Sequence, residues 1–284
     1  MLDFLSQPAG FDIGETGLMV YDASQPLWRA LLVGLSNTLR VALPAIVAAT
    51  FVGLLLALMR RSRHMGARSL ATMVVELIRN VPLLLQLFIW YFLLVEWLPD
   101  TQDALQLLPG VWLSKGGLAF PWPELTVQGL HWHVPALDGF AIAGGAAVTP
   151  EYLALFVALV IYTAAFMSEI MRAGLEAVPH SLEEAAETLG ATPSQILRKV
   201  VLPQALRTIV PGLTNQYLNL IKNSSLAVAI GYPDLVSVGN TTINQTGKAV
   251  ECIAVMMLLY LALSLATSAV MNWFNLRYAI RGQA

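Results

Sequence analysis

The chain has 284 residues, 57% hydrophobic and only 12% charged, with a mean hydropathy of +0.65. A soluble domain has about a quarter of its residues charged, so this composition argues against a soluble enzyme and for a membrane protein bathed in lipid. The net charge of -2 argues against a nucleic-acid partner, and a single cysteine, Cys252, leaves no intrachain disulfide or multi-cysteine metal site.

Residues 1–30 carry Asp3, Asp12, Glu15 and Asp22 with no basic n-region or long apolar run. They read as a short acidic tail rather than a cleaved leader. The first long apolar stretch, 31–59, is interrupted by Arg40 and Pro44. A span needs about twenty apolar residues, so 41–59 can cross while 28–40 starts at the interface with Arg40 snorkelling outward. It stops at Arg60, Arg61, Arg63 and Arg68. A second span, 70–98, carries Glu76, Arg79, Asn80 and Pro82 in its first part. Residues 99–149 are rich in Pro, Gly and Trp and show no helical period, which predicts a folded external loop. His131 and His133 flank Trp132 there, but two histidines without a third ligand make no recognisable metal site. The third span is 151–171, the fourth 211–230, and the fifth 250–274, closed by Trp273, Arg277 and Arg281. A turn-rich link at 231–248 joins the last two.

The predicted fold class is therefore an all-α membrane protein with five transmembrane helices. Lys and Arg collect at 60–68, at 172–207 and in the C-terminal tail, whereas 99–149 holds only Lys115. The positive-inside rule then places the N-terminus outside and the C-terminus in the cytoplasm.

Residues 176–208 form the one densely charged loop, on the cytoplasmic side of that topology. Ser181 with Glu184, and Thr192 with Gln195, have capping-box spacing, and Pro193 falls at N1 of the second helix. Gly190 sits where the first helix must stop. Leu182, Ala185, Ala186 and Leu189 make a narrow apolar stripe of small residues that needs a receiving surface. A capped connector packed on its own protein has the same local code.

In the fourth span Asn215, Asn219, Lys222 and Asn223 fall on one polar face, with Ser224 and Ser225 beside it. Amides and an ammonium facing lipid are costly, so the stripe faces a cavity or another helix. In a cavity, Lys222 with its neighbouring amides is suited to a substrate carboxylate. The rival pairs Lys222 with a carboxylate such as Glu169, or lets it snorkel. Glu76 with Arg79 and Glu169 with Arg172 share i, i+3 spacing near the same ends of their spans. They read as self-neutralising pairs or as a charged inner gate. There is no GxxxxGK[ST] loop and no Ser/His/Asp set, so no catalytic site and no cofactor of its own is expected.

Glu184, Ala185, Ala186, Gly190, Val200, Leu202 and Pro203, at their spacing, resemble the EAA loop of bacterial ABC-importer permeases, with Val200 where that pattern usually has Ile. The runs at 76–92, 162–174 and 202–235 resemble the polar amino-acid branch of these permeases, in particular its general L-amino-acid subunits. The resemblance implies a type I importer permease in the bacterial inner membrane. Its partners are a second, similar permease as homo- or heterodimer, two cytoplasmic ATPases and a periplasmic amino-acid-binding protein. It also implies that the first loop helix is a coupling helix docking in the ATPase, and that ATP hydrolysis belongs to that partner. A self-sufficient ion-coupled transporter is the alternative. It needs intramembrane carboxylates, and only Glu76, Glu169 and Glu251 are available, all near span ends.

Overall fold

The computed structural model describes residues 3–17, 19–126 and 129–279, and Arg281 of the sequence argument lies outside them. Helix α1 (Leu27–Arg60) and helix α4 (Pro150–Glu176) form the spine, and both are long and apolar enough to cross a membrane. Their contact is built from small residues. Ala42, Ala45, Ala49 and Ala57 of α1 and Ala154, Ala158 and Ala164 of α4 are all fully buried in one core, which lets backbones approach where lipid supplies no hydrophobic drive. Gly53 marks the tightest point: a Cβ there would lie 3.0 Å from Met167 Cβ and 3.1 Å from the Ala164 carbonyl oxygen. Gly53→Leu is therefore expected to prise the pair apart and destabilise the purified protein by about 2 kcal/mol, read as a lowered Tm in detergent.

Between them in sequence come α2 (Met65–Asn80) and α3 (Leu83–Phe92), the latter continued by a π turn at Leu93–Trp97. The single span expected over 70–98 is broken: α2 and the α3 segment meet at 104°. Pro82 cannot donate to a helical ladder, and the buried Gln86 amide donates to the carbonyls of Ile78 (2.8 Å) and Val81 (2.9 Å) that the break exposes. The bend is thus stabilised by its own sequence.

Residues 105–148 correct the expectation of an all-α chain. Their described residues form eight short strands: β1 (Leu105–Leu108), β2 (Val111–Ser114) and β3 (Gly117–Phe120) pair antiparallel with β8 (Ala146–Val148) in the order β1-β2-β3-β8. Two hairpins, β4 (Trp122–Thr126) with β5 (Gly129–His133) and β6 (Ala136–Asp138) with β7 (Ala141–Ala143), are inserted between β3 and β8. The runs are only three to five residues long and glycine-punctuated, too short for a helical period to show. Gly117 has φ +109° and no room for a Cβ, which would meet the Val148 carbonyl oxygen at 2.0 Å. His133 Nε2 bonds Glu124 Oε2 at 2.9 Å.

After α4 come α5 (His180–Thr188), α6 (Pro193–Ile196), a π turn at Leu197–Val201, α7 (Leu202–Asn223) and a 3-10 turn at Ser224–Ile230. Helices α8 (Leu235–Thr246) and α9 (Ala249–Ala279) close the chain. Among the described residues, three helices, α1, α4 and α9, pass as membrane spans by length and apolarity, or four with the bent pair. Helix α7 is too polar to join them by that measure.

The expected acidic tail is instead a strap. Phe4, Ala9 and Ile13 are buried with Leu27, Ala30 and Leu31 of α1, Leu235 of α8 and Met256 of α9. Asn37 Nδ2 donates to the Glu15 carbonyl (2.7 Å) and the Pro233 carbonyl (2.9 Å). Arg40 Nη1 lies 2.5 Å from Glu15 Oε1, and its guanidinium stands over the Tyr152 ring. So Arg40 does not reach to solvent alone but is neutralised within the fold. The Thr149 hydroxyl, which caps α4, donates to the other Glu15 carboxylate oxygen at 3.0 Å. Asp234 lies beside this knot in the link before α8 and caps that helix through the Ser237 amide (2.9 Å). Burial pushes its carboxyl up to about 6.

Candidate functional site

The two i, i+3 pairs form, and they form together. Glu169 of α4 accepts from Arg172 Nη2 and from Arg60 Nη1 (2.6 Å), and Arg79 Nη1 stands 3.8 Å away, itself 3.8 Å from Glu76 Oε1. Arg172 Nη1 turns its other side to Glu176 Oε2 at 2.5 Å. One carboxylate thus gathers guanidiniums from the ends of α1, α2 and α4. Arg60 is the member that sequence reasoning missed, since it was counted only as a stop signal. Its side chain is 7% exposed, the least exposed in the cluster.

The polar stripe of α7 is divided by the packing. Asn219 and Asn223, joined by Gln216, line a cavity of about 250 Å3 against Tyr162, Thr163 and Phe166 of α4. Lys222 instead lines a groove of about 520 Å3 on the other side, against α8 and α9, with Ser225, Met257 and Tyr260. The physical reason is angular: 216, 219 and 223 repeat at i, i+3 and i+7, whereas Lys222 sits 100° around from Asn223. Asn215 is exposed and lines neither space, and Ser224 is buried with its hydroxyl donating to the Ile221 carbonyl (2.7 Å). The expectation that Lys222 and the two asparagines share one cavity is therefore corrected. Arg79 stands beside the α4–α7 cavity, its guanidinium 5.3 Å from the centroid of Phe166, a ring that lines the cavity. Cavity and charged cluster meet at that ring.

The loop after α4 is built as two short helices, with one change. Thr192 and Gln195 form the capping box, and Pro193 is at N1. The Ser181–Glu184 box is absent, because α5 starts two residues earlier behind Pro179 and leaves Ser181 inside the first turn. Gly190 ends α5 with φ +79° and open space around it. Leu202 and Pro203 open α7 just after the π turn; Pro203 has no N–H for the carbonyl of Lys199, and a wider turn absorbs that loss. Of the apolar stripe on α5, Ala186 packs on the core, while Leu182 is 37% and Leu189 88% exposed, and Ala185 is exposed.

Residues 49–280 match the family described as binding-protein-dependent transport system inner membrane component. The chain belongs to this family. Among relatives of this inner membrane component, the general L-amino acid transport system permease protein AapQ of Rhizobium johnstonii is 39% identical over 333 residues, covering 98% of this chain and 83% of that protein. The putative amino-acid ABC transporter permease protein YhdX of Escherichia coli is 40% identical over 334 residues, covering 98% and 85%. A crystal structure of an amino acid ABC transporter with histidines superposes with a TM-score of 0.65 at 26% identity, over 88% of this chain and 94% of that one. An inward-facing MetNI methionine ABC transporter, 21% identical, shares the fold with a TM-score of 0.58 over 90% and 98% of the two chains. As a member of this family, the chain is a membrane-embedded transport component.

Proposed function

We propose that this chain is the permease subunit of an ATP-driven importer of polar L-amino acids, and forms half of an alternating-access pathway with a second permease of the same family. Two cytoplasmic ABC ATPases and a periplasmic amino-acid-binding protein complete the assembly, and ATP is hydrolysed only in the ATPases. Five crossings, with the N-terminus periplasmic and the C-terminus cytoplasmic in a bacterial inner membrane, follow if the bent α2–α3 pair and the polar α7 each count once. The observation that carries the reading is the α4–α7 cavity. Three amides converge on a space of about 250 Å3 whose aromatic wall has a guanidinium behind it. Uncharged hydrogen-bonding groups with a guanidinium beside their aromatic wall suit glutamate, glutamine, aspartate or asparagine better than a basic amino acid. The cluster of Glu76, Arg79, Glu169 and Arg172, with Arg60, is the inner gate in this reading.

Glu184, Ala185 and Ala186 of α5 and Gly190 just after it, with Leu202 and Pro203, are the ATPase-coupling element. An exposed apolar stripe on a short helix supports this, because so short a helix gains little stability alone. Gly190→Val forces a β-branched residue into a left-handed conformation that costs about 1–2 kcal/mol. It is expected to lower uptake per ATP hydrolysed with the chain still inserted. Equal coupling ratios in wild type and variant count against the assignment.

Proteoliposomes holding the permease pair, the ATPases and the binding protein test the function directly. Uptake of labelled glutamate and glutamine should require ATP and binding protein, and should ignore ion gradients. Gradient-driven uptake by this chain alone would establish the ion-coupled alternative.

A further inference from the structure

Helix α2 has three faces, and this chain buries one of them. Ala71 and Val75 are buried on the side that packs on α1 and α4. Arg68, Thr72, Glu76 and Arg79 make a polar arc. The third face carries Leu70, Met73, Val74 and Leu77, at i, i+3, i+4 and i+7, each between 36% and 63% exposed. No described residue covers that face.

The position of α2 says what does. It turns across the bundle at 104° to α3, and its C-terminal Arg79 lies at the level of Arg60 and Glu169, near the ends of α1 and α4. Helix α3 and its π turn together have fifteen residues, a rise of about 22 Å, short of the ~30 Å of a hydrocarbon core. The apolar face of α2 supplies the missing depth on the side where the short helix begins. An amphipathic helix turned across the bundle at that level lies in the plane of the membrane surface with its stripe among acyl chains.

Charge identifies the headgroups. Arg61 and Arg63 in the connection from α1, and Arg68 in the first turn of α2, are exposed, and none has a side-chain partner among the described residues. Arg60, Arg79 and Arg172, by contrast, are all engaged by carboxylates. Three free guanidiniums beside a lipid-facing stripe are complementary to phosphate in both charge and fork geometry.

We infer that α2 is an interfacial helix that binds anionic phospholipid, with Leu70, Met73 and Leu77 among the acyl chains and Arg61, Arg63 and Arg68 on the headgroup phosphates. Because the same helix delivers Arg79 to Glu169, the lipid holds one side of the charged cluster in place.

Two readouts, neither depending on transport, test this on the full complex in nanodiscs. The first is phosphatidylglycerol retained by the complex after exchange into phosphatidylcholine, counted by mass. The combined variant Arg61→Gln, Arg63→Gln, Arg68→Gln is expected to weaken retention at least about tenfold, since each arginine near an anionic surface contributes about a factor of five. Unchanged retention overturns the assignment of the headgroup site. The second readout is depth, with a bimane probe at Leu77→Cys or Thr72→Cys and the parent chain, whose Cys252 is buried, as the labelling blank. The Leu77 probe should be quenched by phospholipid bearing a nitroxide near its headgroup, and the Thr72 probe by aqueous iodide. A Leu77 probe silent to both means that a partner subunit covers the stripe, and one quenched by iodide alone means that water does. Either result overturns the interfacial placement.

Discussion

Glu169→Gln is expected to abolish uptake and to lower the thermal stability of the purified protein by about 2–3 kcal/mol, the loss when one member of a largely buried ion pair is removed, reduced for its partial exposure. The reasoning is a local charge count. Three guanidiniums, from Arg60, Arg79 and Arg172, face Glu169, Glu76 and Glu176, and only Glu169 touches all three. An amide keeps the shape and part of the hydrogen bonding but leaves a net positive cluster, with the 7%-exposed Arg60 side chain worst placed to recover solvent. Adding Arg60→Gln to Glu169→Gln should restore part of the stability, and a double-mutant cycle on Tm reads the coupling. Additive losses in that cycle would show that Glu169 and Arg60 do not depend on each other.

The second large effect concerns the route through the bundle. Asn219→Leu combined with Asn223→Leu removes two of the three amides in the α4–α7 cavity, and is expected to slow uptake of glutamate and glutamine at least about tenfold, since each lost hydrogen bond to a charged or polar ligand is worth about 1–2 kcal/mol. Leucine is close to asparagine in size, so the cavity narrows little and assembly should persist. Lys222→Met is the discriminating control. Its side chain belongs to the groove with α8 and α9, and uptake should stay near normal. The opposite result, normal uptake in the asparagine pair and loss in the lysine variant, would move the pathway to that groove.

Much of this was legible in the sequence because it depended on neighbours along the chain. Capping at Thr192 and Gln195, the left-handed stop at Gly190 and the pairs Glu76–Arg79 and Glu169–Arg172 are all local codes, and all four formed. What escaped depended on distant partners. Nothing within a few residues of Arg60 says that it will meet a carboxylate 109 positions later. A helical wheel shows the 100° between Lys222 and Asn223, but not which neighbouring helix each side of that arc will meet, and so the boundary between groove and cavity could not be placed. The strands at 105–148 escaped because runs of three to five residues carry too little periodicity, and the 104° break because Pro82 signals an interruption but not its angle. Gln86 was the missed signal there: a buried amide placed four residues after a proline is well set to receive the carbonyls of a turned chain.

Helix α4 joins the two ends of the molecule without a break. Its first turn is clamped through Thr149, which bonds Glu15 of the strap and directly follows strand β8. Its last turns carry Glu169 and Arg172 and lead within a few residues to α5. Over 27 residues with no proline beyond its first position, it is a stiff rod about 40 Å long. Such a rod cannot be pushed at one end without moving at the other. A tilt of about ten degrees would carry one tip ~7 Å past the other over that length, so a displacement applied at the α5 end would arrive at the β8 end as a lateral stroke, with the small-residue face toward α1 as its bearing.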